Sequence, residues 1–200
     1  MKRVLSIFAV TAFATTMAFT VAEVLPIGSI MPKSSLKMKD VSGKEISIKE
    51  AAKEKGVLVM FSCNTCPYVI KNEERTTEIG RFAQKMNVGV IVLNSNEAYR
   101  SGEDSYEAMK SYAAERKYEW NYVVDKNHEM ADAFGANRTP ECFLFDNNLK
   151  LVYHGAIDDN PSDETSVNRR HLKEAINELV AGKEISVKES RSVGCTIKRN

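Results

Sequence analysis

Val57-Leu58-Val59-Met60-Phe61-Ser62-Cys63-Asn64-Thr65-Cys66-Pro67 decides how the rest of this chain is read. Six uncharged residues, rich in β-branched and aromatic types, predict a strand covered on both faces, as in a parallel or mixed sheet. The strand runs into C-x-x-C. Beyond it Ile79, Phe82, Ala83 and Met86 fall at helical spacing, predicting a helix that runs from the motif to about Met86. Two residues between the sulfurs let a turn bring them within bonding distance. Pro67 is tolerated in a first turn, so the helix is expected to start within or just after the motif. Unpaired N–H groups there favour a thiolate, and Cys63 is expected at the mouth, with a pKa of roughly 7 or below and Cys66 shielded beneath it.

C-x-x-C also serves zinc ribbons, which need a second pair of ligands. Cys142, Cys195, His128, His154 and His171 are the remaining candidates, and none stands at paired spacing. Two inert core thiols are the other alternative. The strand before and the helix after favour dithiol/disulfide chemistry, with no metal and no cofactor.

Residues 88–93 predict a second buried strand and 122–124 a short one. Residues 35–39 and 45–48 read as strands around a turn at 41–44, and 49–55 as a short charged helix stopped by Gly56. Asp104 with Glu107 reads as a capping box for a helix over 105–117, and Asn127 as the cap of the helix carrying Met130, Ala133 and Phe134. Strands at 141–146 and 149–154 flank Asn147-Asn148 and predict a hairpin. Residues 156–168 form an acidic loop read as solvated. Leu172, Ala175, Ile176, Leu179 and Val180 mark a last helix, stopped by Gly182. Strands alternating with helices argue for an α/β fold with a central mixed sheet.

The chain of 200 residues is 43% hydrophobic and 28% charged, which fits one soluble domain with a real core. A net charge of +1 without a basic stripe gives no reason to invoke nucleic acid. Lys2 and Arg3 precede an apolar stretch that closes in Thr20-Val21-Ala22, so residues 1–22 read as a cleaved signal peptide, leaving a domain at 23–200 with a tail at 183–200. Five hydroxyl residues make 1–22 a poor membrane anchor, and no stable span is expected after cleavage. The expected setting is the periplasm or the exterior, where disulfides persist.

The chain resembles the thioredoxin-like superfamily and, within it, the peroxiredoxin-like redoxins (the alkyl hydroperoxide reductase/thiol-specific antioxidant group). Residues 61–69, Arg138-Thr139-Pro140-Glu141, 143–146, 153–161 and Gly194-Cys195-Thr196-Ile197-Lys198 carry the resemblance. It implies a thioredoxin fold in which Thr139-Pro140 is the cis-proline turn that faces C-x-x-C and binds substrate. Ser62 and Met60 stand where thioredoxins have a tryptophan and a buried carboxylate. Peroxiredoxins have a threonine three residues before their reactive cysteine, and here that place holds Cys63 or Met60.

The resulting expectation is an exported thiol–disulfide oxidoreductase acting on protein disulfide or dithiol partners. Cys63 attacks, Cys66 resolves, and a reversible Cys63–Cys66 disulfide results. A peroxidase passing through sulfenic acid is one alternative, and a module carrying Cu(I) on the two sulfurs is another. Cys142, among apolar neighbours, reads as an inert core thiol. Cys195 is a possible third thiol that exchanges with the pair or locks to Cys142; its other reading is packing against the last helix.

Overall fold

A computed structural model describes residues 23–199, and the expected signal peptide at 1–22 lies outside the described residues. The central strand, β3 (Val57–Ser62), is buried at every position. It pairs in parallel with β4 (Gly89–Asn94) and antiparallel with β7 (Glu141–Phe145). The sheet is completed by β1 (Met38–Asp40), β2 (Glu45–Ile46), β5 (Asn121–Val124) and β8 (Leu151–Gly155), in the order β2-β1-β5-β4-β3-β7-β8. It is mixed, as expected. β7 and β8 form the hairpin around Asn147-Asn148.

Side chains alternate across a strand, so one strand feeds two cores. Leu58, Met60, Val90, Val92, Tyr122, Cys142 and Leu144 point into one cluster. Helices α3 (Glu73–Lys85), α4 (Tyr106–Glu115) and α6 (His171–Val180) cover it with Ile79, Ala83, Met109, Tyr112, Leu172 and Ile176. Val57, Val59, Phe61, Ile91, Leu93 and Phe143 face the other way, under α1 (Ile48–Ala51) and α5 (Glu129–Phe134). There Phe61, Phe134 and Phe143 meet edge to face with centroids 5.2–5.6 Å apart, a geometry that adds about 0.5–1.5 kcal/mol per pair to simple burial.

The helix expected to run unbroken from the motif is two helices. The first, α2 (Pro67–Lys71), ends at Asn72, where α3 begins. Asn72 Nδ2 donates to the Tyr68 and Pro161 carbonyls instead of pointing to solvent. The break is pinned from the acidic loop, which is not simply solvated. Asp158 lies 2.7 Å from Arg75 Nη1, with both side chains buried, and Arg75 also donates to the carbonyls of Asn160 and Lys71. Removing one partner strands the other charge, so Asp158→Ala is expected to cost about 3–5 kcal/mol in denaturant unfolding. A loss under about 1 kcal/mol, the usual value of an exposed pair, would show that this ion pair does not anchor the loop.

Two caps also differ from expectation. Ser105, not Asp104, caps α4, accepting from Ala108 N. Asp125, not Asn127, receives the first N–H groups of α5, from Met130 and Ala131.

Candidate active site

β3 delivers Cys63 at the carboxyl end of the sheet, and α2 carries Cys66 at its N-cap. Facing them is a two-residue strand, β6 (Arg138–Thr139), and the peptide bond after it, Thr139-Pro140, is cis. Glu141 braces this turn from below. Its Oε2 accepts from the N–H groups of Asn137 and Arg138, and its Oε1 lies 2.8 Å from His154 Nε2.

Thr139 touches both sulfurs of the motif. Its Oγ1 is 3.5 Å from Cys63 Sγ, and its carbonyl oxygen is 3.3 Å from Cys66 Sγ. Cys66 is disulfide-bonded, so the second approach is a contact without a proton; a reduced Cys66 thiol can donate across it.

The bond to Cys66 comes from Cys195, 129 residues away, and not from Cys63 or Cys142. Cys195 lies on β9 (Cys195–Thr196), which pairs antiparallel with β6 so that Thr139 is opposite Cys195. A Cβ on Gly194 would sit 2.2 Å from the Thr139 carbonyl oxygen, so only glycine lets the tail approach this closely. On one side of Cys195 the tail is held by Ser190, whose Oγ meets Tyr153 OH at 2.7 Å and accepts from Ala156 N. Gly155, at φ 149°, leaves the room Ser190 occupies. On the other side Ile197 is buried in the second core, Ile197 N donates to Asn137 O, and Arg199 Nη2 donates to Ala136 O.

With the tail in place the expected order of exposure does not hold. Cys63 is 1% exposed and Cys66 5%, while Cys195 is half-buried. Burial pushes the Cys63 thiol above its ordinary value, and the Asp104 carboxylate adds to that. The Thr139 hydroxyl and the N–H groups of Cys66 and Thr65 pull the other way without prevailing. Cys142, in β7 opposite Met60, is fully buried and free, and its thiol is raised further by burial, then by Glu141 and Asp158.

Asp104 is the site residue that sequence reasoning missed. It is fully buried and accepts from Asn64 N (2.9 Å), Asn94 Nδ2 (2.7 Å) and Asn96 Nδ2 (2.8 Å). Tyr122 OH donates to Asn64 Oδ1, and Asn96 Oδ1 accepts from Lys198 N. One carboxylate therefore holds the loop between the cysteines, the end of β4 and, through Asn96, the tail. The only hint in the sequence was Asn94-Ser95-Asn96 followed at short range by an aspartate.

The family model described as Redoxin matches residues 26–170, a span that contains Cys63, Cys66, Thr139 and Pro140 and stops short of Cys195. Among solved structures, an uncharacterized conserved protein from Geobacillus kaustophilus is 30% identical, with 88% of this chain and 93% of that chain covered and a TM-score of 0.81. A hypothetical protein from Sinorhizobium meliloti 1021 is 27% identical over 89% of this chain and 97% of that one, also at TM-score 0.81. A putative thiol:disulfide interchange protein from Chlorobium tepidum, 16% identical over 79% and 97% at TM-score 0.57, shares the fold. Comparison with curated proteins found no match.

Proposed function

The chain belongs to the Redoxin family, and on that premise we propose that it is a thiol–disulfide oxidoreductase whose exchanging sulfurs are those of Cys63 and Cys66. The observation that carries the reading is the Cys66–Cys195 bond itself. A motif sulfur is joined to a cysteine on an extended strand paired with Thr139, which is the arrangement a mixed disulfide with a partner protein requires. Thr139 and Pro140 supply the docking edge, through main-chain pairing that any extended cysteine-bearing segment can satisfy.

The steps follow from which sulfur is reachable. Cys66 thiolate attacks a partner disulfide, forming a Cys66–partner bond and releasing one partner thiolate. Cys63, across Thr139, then attacks Cys66 Sγ, the second partner thiolate leaves, and Cys63–Cys66 is oxidised as the partner is reduced by two electrons. This inverts the order read from the sequence, because Cys66 and not Cys63 reaches the strand.

Reoxidation of the fully reduced protein by a protein disulfide and by hydrogen peroxide, side by side, tests the reading. Exchange is expected to be the faster reaction at equal concentrations. Peroxide rates that exceed it would make the protein a peroxidase, the one reading in which Cys66 passes through sulfenic acid. The exported setting rests on residues 1–22 and predicts a mature N-terminus near Glu23; an intact Met1 in the native host would overturn it. Among the described residues no helix is long and apolar enough to cross a membrane.

A further inference from the structure

Accessibility rises in steps along the three sulfurs that meet at Thr139: Cys63 is sealed, Cys66 nearly so, and Cys195 half-open. All three are held. Cys63 Sγ contacts the Thr139 hydroxyl, Cys66 Sγ contacts its carbonyl, and Cys195 is its strand partner. Cys195 lies beyond the span matched by the family, on a tail clamped on both sides of it by Ser190 and by Ile197. These clamps are hydrogen bonds and apolar burial, made by groups other than the disulfide sulfurs. When the bond opens, the Cys195 thiol stays beside Cys66, at the high effective concentration of a tethered group.

We propose that Cys195 is a third catalytic thiol, which draws the disulfide outward from the Cys63–Cys66 pair and is the sulfur an external dithiol protein attacks to reduce the enzyme. The inference rests on the exchange reading above. In the first step Cys195 thiolate attacks Cys66 Sγ of the Cys63–Cys66 disulfide. The Cys66–Cys195 bond forms, Cys63 leaves, and the proton given up by Cys195 ends on Cys63. No electron enters or leaves, so no further reactant is needed, and the product is the state the structure holds. In the second step a thiolate of the external dithiol attacks Cys195 Sγ and Cys66 leaves as thiolate. The second thiol of that partner then attacks the new mixed disulfide, frees Cys195 and departs oxidised. Its two protons end on Cys66 and Cys195, and two electrons have entered the enzyme.

The geometry gives the direction. Attack on a disulfide is in line with the S–S bond, and which sulfur is struck depends on access. Cys66 is shielded by β9 and by Thr139, whereas Cys195 is half-buried, the most exposed of the three residues. A substrate that enters at Cys66, as in the exchange reading, displaces β9 from Thr139 and with it the buried Ile197, whereas a reductant that enters at Cys195 leaves β9 in place.

The test uses the oxidised wild-type protein, residues 23–200, and a thioredoxin whose second active-site cysteine is replaced by serine, so that the mixed disulfide persists. The mixture is quenched with N-ethylmaleimide, which also tags the released thiol, and digested without reduction. The expected product has the thioredoxin on Cys195 and the maleimide on Cys66. Thioredoxin on Cys66 or Cys63, or no adduct in the time dithiothreitol takes to reduce the protein fully, overturns the proposal. In turnover with intact thioredoxin as reductant, Cys195→Ser is expected to fall by roughly tenfold or more, because the tethered thiol is gone. Unchanged turnover in Cys195→Ser overturns the role of Cys195 and leaves exchange at Cys66 standing. Wild-type protein that reduces no protein disulfide sinks the exchange reading itself, whichever sulfur the probe marks.

Discussion

Cys66→Ser is expected to abolish reduction of a protein disulfide such as insulin, by roughly 100-fold or more, because the covalent route is lost with its sulfur. Neither neighbour can stand in. Cys63 is sealed, with its thiol raised by burial, and Cys195 has no second sulfur to close on without Cys66. Cys63→Ser should behave differently. Its Cys66 can still take a partner, and Cys195 remains to resolve the bond, so turnover falls but persists. Only the double variant Cys63→Ser/Cys195→Ser should accumulate a stable mixed disulfide, visible as a shifted band on a non-reducing gel. The opposite pattern, an inactive Cys63→Ser and a trapping Cys66→Ser, would restore the order of attack expected from the sequence alone.

The order of attack expected from the sequence and the order proposed from the structure differ for a physical reason. A motif and its neighbours report local geometry, and local geometry does place unpaired N–H groups near Cys63. What decides accessibility is a strand that arrives from 129 residues away, and long-range pairing leaves no periodicity to read. β3, β4, the β7–β8 hairpin and α6 were legible because each carries its own pattern: an unbroken apolar run, a tight-turn dipeptide, or apolar residues at i, i+3 and i+4. The tail offered only Gly194-Cys195, and Gly194 matters for a backbone approach to Thr139 that no local rule encodes. The buried carboxylates failed in the same way. Asp104 two residues before a helix, and Asp158 in a loop with three other acids, look like a cap and a solvated turn. Burial in each case is imposed by distant partners, Asn64 and Asn94 for one and Arg75 for the other.

Structure and reactivity meet at Asp104. Asp104→Leu leaves Asn64 N, Asn94 Nδ2 and Asn96 Nδ2 buried without an acceptor. At about 1–3 kcal/mol for each orphaned donor, with partial relaxation, the loss should be roughly 3–5 kcal/mol. For a chain of this size that lowers Tm by about 10 °C. Asp104→Asn is the gentler probe, since it keeps the shape and removes the charge that helps push the Cys63 thiol up. The sign follows: with the charge gone the thiolate is less disfavoured, so the Cys63 pKa falls back towards that of an ordinary thiol. In the oxidised protein, alkylation of Cys63 by iodoacetamide should therefore begin at lower pH in Asp104→Asn than in wild type. Cys142 is an internal control, because its thiol is raised by burial, Glu141 and Asp158, and its profile should not move. A Cys63 profile that stays in place would mean burial alone sets its reactivity, and would reduce Asp104 to a structural bracket for Asn64 and the tail.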